Sequence, residues 1–113
     1  MAKNIENDRF VLIVVLLLIT KGGTLNNSYS LTKAPEWRFD TWAKGILEEI
    51  REHKYADYAL ISGVHHYRIT PKGIELIKGE YSAALKYLLN KYPLQMSIIT
   101  SLFSSFSSFD QSI

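Results

Sequence analysis

Every residue from 10 to 19 is apolar: Phe-Val-Leu-Ile-Val-Val-Leu-Leu-Leu-Ile. A segment with no polar face has no side to offer to water, so protein or lipid must enclose it on all sides. A helix that spans a bilayer needs about 20 such residues, and this run is shorter. The core of a secretory signal has this length. Here, however, the preceding flank carries Glu6 and Asp8 beside Lys3 and Arg9, and no small-x-small cleavage site follows. The run therefore reads as a central helix buried nearly all round. A buried strand competes with it, because many of its residues are β-branched. Lys21-Gly22-Gly23 then ends it, a basic side chain at the helix C-terminus followed by glycine that is free to take positive φ.

A chain of 113 residues forms one domain with a single core. With 47% hydrophobic and 21% charged residues it is globular rather than disordered. It has no cysteine, which excludes a disulfide framework, thiol catalysis and thiolate metal sites. That composition fits a reducing cytosol, and a cytoplasmic location is expected. A formal charge of +2 is mild, so any nucleic-acid binding requires the cations to gather on one face.

Along the chain, residues 1–9 are polar and mixed in charge and are expected to be flexible. The polar stretch 26–34 reads as a short helix, capped by Ser28 or Ser30, or as a loop. Residues 35–54 are clearer. Pro35 suits the first helical position, with Asp40 an alternative cap. Phe39, Trp42, Ala43, Ile46, Leu47 and Ile50 then fall on one arc at helical spacing. Trp37, Thr41, Lys44, Glu48, Arg51 and Glu52 occupy the opposite face, and His53 and Lys54 close the helix. Two strand-like runs follow, with Tyr58 and Leu60 before a tight turn at Ser62-Gly63-Val64 and Tyr67 and Ile69 after it.

The second run leads directly into Tyr67-Arg68-Ile69-Thr70-Pro71-Lys72-Gly73. Tyr67 and Ile69 share one strand face, Thr70 is a good N-cap, and Pro71 suits the first helical position, where its missing N–H costs nothing. Ile74, Ile77, Tyr81, Leu85 and Leu88 then recur at helical spacing up to Pro93, with Gly79 a weak point. With the Ile-Glu-Leu-Ile that follows, this junction resembles the place where the wing of a winged-helix protein returns and its next helix begins. The resemblance covers about residues 10–90, and the apolar first helix and trailing helices are most similar to the PadR-like transcriptional regulators. It implies an α+β, mostly helical fold: a winged helix-turn-helix with a short two-stranded wing over residues 10–92 and additional C-terminal helices. Thr24-Leu25 would then be the short first strand, and residues 36–54 the recognition helix. No glycine follows that helix; Lys54 stands there instead.

The function implied is sequence-specific binding of double-stranded DNA as a transcriptional regulator, without a cofactor. A helix in the major groove needs small or hydrogen-bonding residues and cations that reach phosphate. Arg38, Thr41 and Lys44 meet that need, with Arg51 and Lys72 placed for backbone contacts and His66 and Arg68 flanking the uncharged wing tip. Glu48 and Glu52 on the same face oppose phosphate binding. A non-catalytic winged-helix module for protein–protein interaction is the alternative, and a membrane-associated protein a third. Catalysis is not expected. His65 and His66 are adjacent and face opposite sides of a strand, so they cannot share a metal, and no phosphate loop or carboxylate pair is present.

Beyond Pro93, Ile98, Ile99, Leu102, Phe103, Phe106 and Phe109 repeat at three- and four-residue steps among serines. This marks residues 93–113 as an amphipathic helix. If its stripe were left open it would be an apolar patch larger than soluble monomers usually carry, so a homodimer held by these residues is expected.

Overall fold

The computed structural model describes residues 5–21, 28–30 and 44–112 of the chain. They form four α-helices and a two-stranded antiparallel sheet. In order these are α1 (Ile5–Thr20), α2 (Lys44–Glu52), β1 (Ala56–Ile61), β2 (Val64–Ile69), α3 (Pro71–Lys91), a 3₁₀ turn (Pro93–Gln95) and α4 (Met96–Ser112).

The apolar run is helical, and the strand assignment is excluded. Phe10 and every residue from Leu12 to Ile19 are buried. The helix closes with the Thr20 hydroxyl donating to the Leu17 carbonyl (2.6 Å) and the Lys21 N–H donating to Leu18 (3.1 Å). Such a rod can be enclosed only if helices cover it from several directions, and α2, β2, α3 and α4 all pack on it. At its other end α1 starts at Ile5, inside the stretch expected to be flexible. Arg9 there pairs with Glu80 of α3 at 3.0 Å, and the Phe10 ring lies 4.8 Å from that of Tyr87.

The helix α3 runs unbroken through Gly79, which faces open space, so the expected weak point does not interrupt it. Pro93 stops it: the Tyr92 N–H still reaches the Leu88 carbonyl at 2.8 Å, and the chain then turns into α4.

The C-terminal stripe turns inward on its own chain. Ile99, Leu102, Phe103 and Phe106 are buried within the single chain, and Ile98 is half-buried against the same core; the side chain of Phe109 lies outside the described residues. The Tyr81 ring of α3 meets Phe103 edge-on at 5.1 Å, while its hydroxyl donates to the Phe103 carbonyl at 2.8 Å. These contacts cover the described part of the stripe within its own chain. The all-apolar stretch of α1, residues 10–19, needs a further wall beside α2, β2 and α3, and α4 supplies it. Residues 93–112 therefore belong to the same core as residues 10–92 and are not an appendage to it.

Phe103→Ala should cost about 3–5 kcal/mol of stability, the usual loss for emptying a buried aromatic site. Urea unfolding checks this, and the loss should be the same across a wide range of protein concentration. Had Phe103 been part of a subunit interface, its cost would depend on concentration.

Candidate nucleic-acid interface

Three backbone segments meet at one threonine. Helix α2 ends with the Tyr55 N–H donating to Ile50 (2.9 Å) and the Lys54 N–H donating to Arg51 (3.2 Å). This pair of bonds is the Schellman arrangement, which requires a left-handed residue between helix and exit. Lys54 takes that conformation, with φ 61°, where glycine is the usual occupant. The carbonyl of Lys54 accepts a hydrogen bond from the Thr70 hydroxyl at 2.7 Å. The Thr70 hydroxyl oxygen in turn accepts from the Gly73 N–H at 3.2 Å and so caps α3. The Thr70 N–H donates to the Tyr55 carbonyl at 3.1 Å. Gly73 is packed so tightly against that carbonyl that a Cβ there would lie 2.2 Å from the oxygen. The end of α2, the end of β2 and the start of α3 are thereby locked together.

The hairpin leaves this junction in one register. Ser62 and Gly63 form a two-residue turn with φ 51° and 78°, the left-handed pair that matches the twist of the strands. Ile61 therefore faces Val64, Leu60 faces His65, Ala59 faces His66, Tyr58 faces Tyr67, and Asp57 faces Arg68. One further residue bridges to the sheet. Tyr29 exchanges two backbone hydrogen bonds with Tyr67, at 2.8 and 2.9 Å, on the side of β2 away from β1. Residues 28–30 form no helix: they read as the loop alternative, with Tyr29 making a single isolated bridge. Thr24 and Leu25 lie outside the described residues.

Alternation divides the side chains between two faces. On one, the guanidinium of Arg51 lies over the Tyr58 ring, 4.7 Å from its centre. The Tyr58 hydroxyl is hydrogen-bonded to His65 Nδ1, and the Tyr58 and Tyr67 rings are 5.2 Å apart. Burial pushes the Tyr67 phenol above its ordinary pKa of 10, against the opposing pull of Arg51. On the other face Arg68 pairs with Asp57 across the strands at 3.4 Å, and His66 Nδ1 is hydrogen-bonded to the Ser28 hydroxyl at 3.1 Å. Lys72 is exposed over the Tyr55 ring at 5.3 Å, and that ring also stacks with His53 at 5.6 Å.

The expected DNA-binding set is therefore split. Arg51 stands on one face of the hairpin, Arg68 and His66 on the other, and Lys72 at the head of α3. Arg68 shares its charge with Asp57, an exposed pair worth no more than about 1 kcal/mol, so it can be given up to a phosphate. Of the recognition helix expected over residues 36–54, the described part is Lys44–Glu52. Arg38 and Thr41 lie outside the described residues, as does the side chain of Lys44. Ile46 and Ile50 of the expected apolar arc are buried, and Glu48, Arg51 and Glu52 are exposed as the arc implies. Sequence reasoning missed the Tyr58–His65 pair beneath Arg51. Its signal was the two-residue turn, which sets the register that puts both residues on one face. Among the described residues no group of three His, Asp or Glu side chains could hold a metal ion.

Thr70→Ala removes both the cap and the bond to Lys54, and should cost about 2 kcal/mol. Gly73→Ala should cost more, since a backbone carbonyl cannot move aside as a side chain can. Lys54→Gly should stabilise by about 0.5–1 kcal/mol, the relief of the left-handed strain less the added freedom of the unfolded chain. Denaturant midpoints of the three variants check this ordering. In comparisons with known proteins, no family model, curated protein or solved structure matches this chain.

Proposed function

We propose that the chain is a winged helix-turn-helix protein that binds double-stranded DNA as a transcriptional regulator, without a cofactor and in the cytoplasm. The observation that carries this is the order of elements around the sheet. A buried first helix is followed by Tyr29, which bridges to the far edge of β2, and then by α2, the β1–β2 hairpin and α3. In a winged helix the first strand, recognition helix, wing and following helix come in that order. Helix α2 takes the place of the C-terminal part of the recognition helix.

Arg51 is the best-placed described cation. It is exposed on α2, and the Tyr58 ring beneath it limits its rotamers, so less entropy is lost when it meets a phosphate. Lys44 lies two helical turns before it, on the same side of the helix by spacing. Lys72 adds a charge at the head of α3. Glu48 and Glu52 limit nonspecific attraction, which suits a protein that selects its site by base contacts and not by charge alone.

The alternative, a winged-helix module for protein–protein interaction, is favoured by one observation. The hairpin tip is apolar and open, with Leu60 60% and Ile61 51% exposed. Membrane association gains no support, because no helix among the described residues is long and apolar enough to cross a bilayer.

Fluorescence anisotropy with a mixed-sequence duplex, titrated with salt, separates the two. A DNA-binding protein loses affinity steeply as salt rises. Arg51→Ala should weaken binding and lower the slope of log affinity against log salt by about 1. Asp57→Ala, which frees Arg68 and removes a negative charge, should strengthen it. If the parent chain shows no salt-dependent binding at low ionic strength, DNA binding is refuted and the protein-interaction module takes its place.

A further inference from the structure

Two donors on the Arg51 face are left open. The guanidinium of Arg51 lies over the Tyr58 ring and makes no ion pair or hydrogen bond with any other described residue. His65, diagonal to Tyr58 across the strands, is bonded at Nδ1 alone, by the Tyr58 hydroxyl. A phenol donates more readily than it accepts, so Tyr58 gives its proton to Nδ1 and the imidazole carries its own on Nε2. The imidazolium has an N–H there as well. In both forms His65 offers an Nε2–H, and no described residue accepts it. Tyr67 lies beside them, its ring 5.2 Å from that of Tyr58. It is 4% exposed, its phenol feels the charge of Arg51, and its hydroxyl has no hydrogen-bonded partner among the described residues. A tyrosine so deeply buried usually finds one. On the opposite face the corresponding groups are taken: Arg68 is paired with Asp57, and His66 is bonded to Ser28.

We propose that Arg51 and His65 form one site for a phosphate oxyanion, with Tyr58 positioning both donors. The source of the phosphate rests on the DNA-binding reading, which makes the ligand a backbone phosphodiester. Such a group has two non-bridging oxygens, one for the guanidinium and one for the imidazole N–H, and charge-assisted bonds of this kind are the strong ones. Tyr58 sets both donors before the ligand arrives. Its ring limits the rotamers of Arg51, and its hydroxyl holds the His65 ring and keeps the outward proton on Nε2. Less freedom is then lost on binding. Arg51 belongs to α2 and His65 to β2, so one phosphate ties the helix to the hairpin.

Inorganic phosphate tests the site without DNA. Titrated into the full chain against chloride at equal ionic strength, it should shift the imidazole NMR signals of His65 saturably, and Arg51→Ala should abolish the response. The positioning role of Tyr58 is read from a double-mutant cycle. Tyr58→Phe keeps the ring under Arg51 and removes the hydroxyl; His65→Phe removes the donor. Each should weaken binding of a mixed-sequence duplex about fivefold, the usual worth of one hydrogen bond. The double variant should bind no more weakly than His65→Phe alone, and His65→Gln, which restores an N–H, should recover most of the loss. No phosphate response at His65 would overturn the proposal, as would a response that survives Arg51→Ala. Losses at Tyr58 and His65 that simply multiply, or a His65→Gln no better than His65→Phe, would overturn it too. A chain that binds no duplex yet gives the phosphate response upholds the site and refutes the DNA-binding reading instead.

Discussion

The hydroxyl of Thr70 is bonded to two partners from opposite ends of a three-element motif. It donates to the carbonyl of Lys54, just after α2, and accepts from the N–H of Gly73, in the first turn of α3. Each bond alone is an ordinary local contribution. Made by one atom, they tie two helix ends that are separated in sequence by the whole hairpin. The Tyr55 carbonyl does the same from the backbone side, accepting from Thr70 and lying against the bare Cα of Gly73. Close packing of this kind excludes water from a place where several helix-end groups need partners. The direction in which the hairpin leaves the core, and hence which residues lie beside Arg51, follows from it.

Helix α1 imposes the second constraint. A rod that is apolar all round is stable only when enclosed, and a helix pair cannot enclose it. Helices α2, α3 and α4 and the buried face of β2 divide its surface, and Tyr67 and Ile69 are the strand's share. The small sheet is therefore asymmetric along its length. Its foot is part of the core, while its tip, from Leu60 to Val64, stands clear of it.

Much of this was legible in the sequence because it depends on local chemistry. Pro71 after Thr70 marks a helix start whatever lies elsewhere, and Ser62-Gly63 sets a two-residue turn. Other features depend on where distant segments lie. Nothing in Asn26 to Ala34 indicates that Tyr29 bridges to the sheet, because one bridge leaves no periodicity. The serine-flanked stripe of α4 has the same pattern whether it covers its own core or another chain; the deciding quantity is how much wall α1 needs, which is a property of the assembled fold. Lys54 looked like a departure from the helix-ending pattern. The backbone adopts the left-handed turn regardless, since the Schellman bonds and the Thr70 contact outweigh a strain of about 1–2 kcal/mol. The candidate DNA-binding residues were chosen by charge, and charge alone cannot tell that Arg51 and Arg68 stand on opposite faces.

That division has a consequence for how a hairpin and a helix act together on one ligand. Arg51 rests on a ring that belongs to the hairpin, so a group that engages Arg51 also feels the position of Tyr58, and through it His65. Arg68 and His66, on the other face, are tied to Asp57 and to Ser28. A phosphate on the Arg51 face meets a cation already held in place, whereas one on the Arg68 face must first displace a carboxylate. The exposed Asp57–Arg68 pair is weak enough to yield, but its exchange sets the two faces apart by on the order of 1 kcal/mol. In the proposed complex the Arg51 face is therefore engaged first and the Arg68 face only in a closer fit, an order imposed by cross-strand pairing and not by the number of cations each face carries.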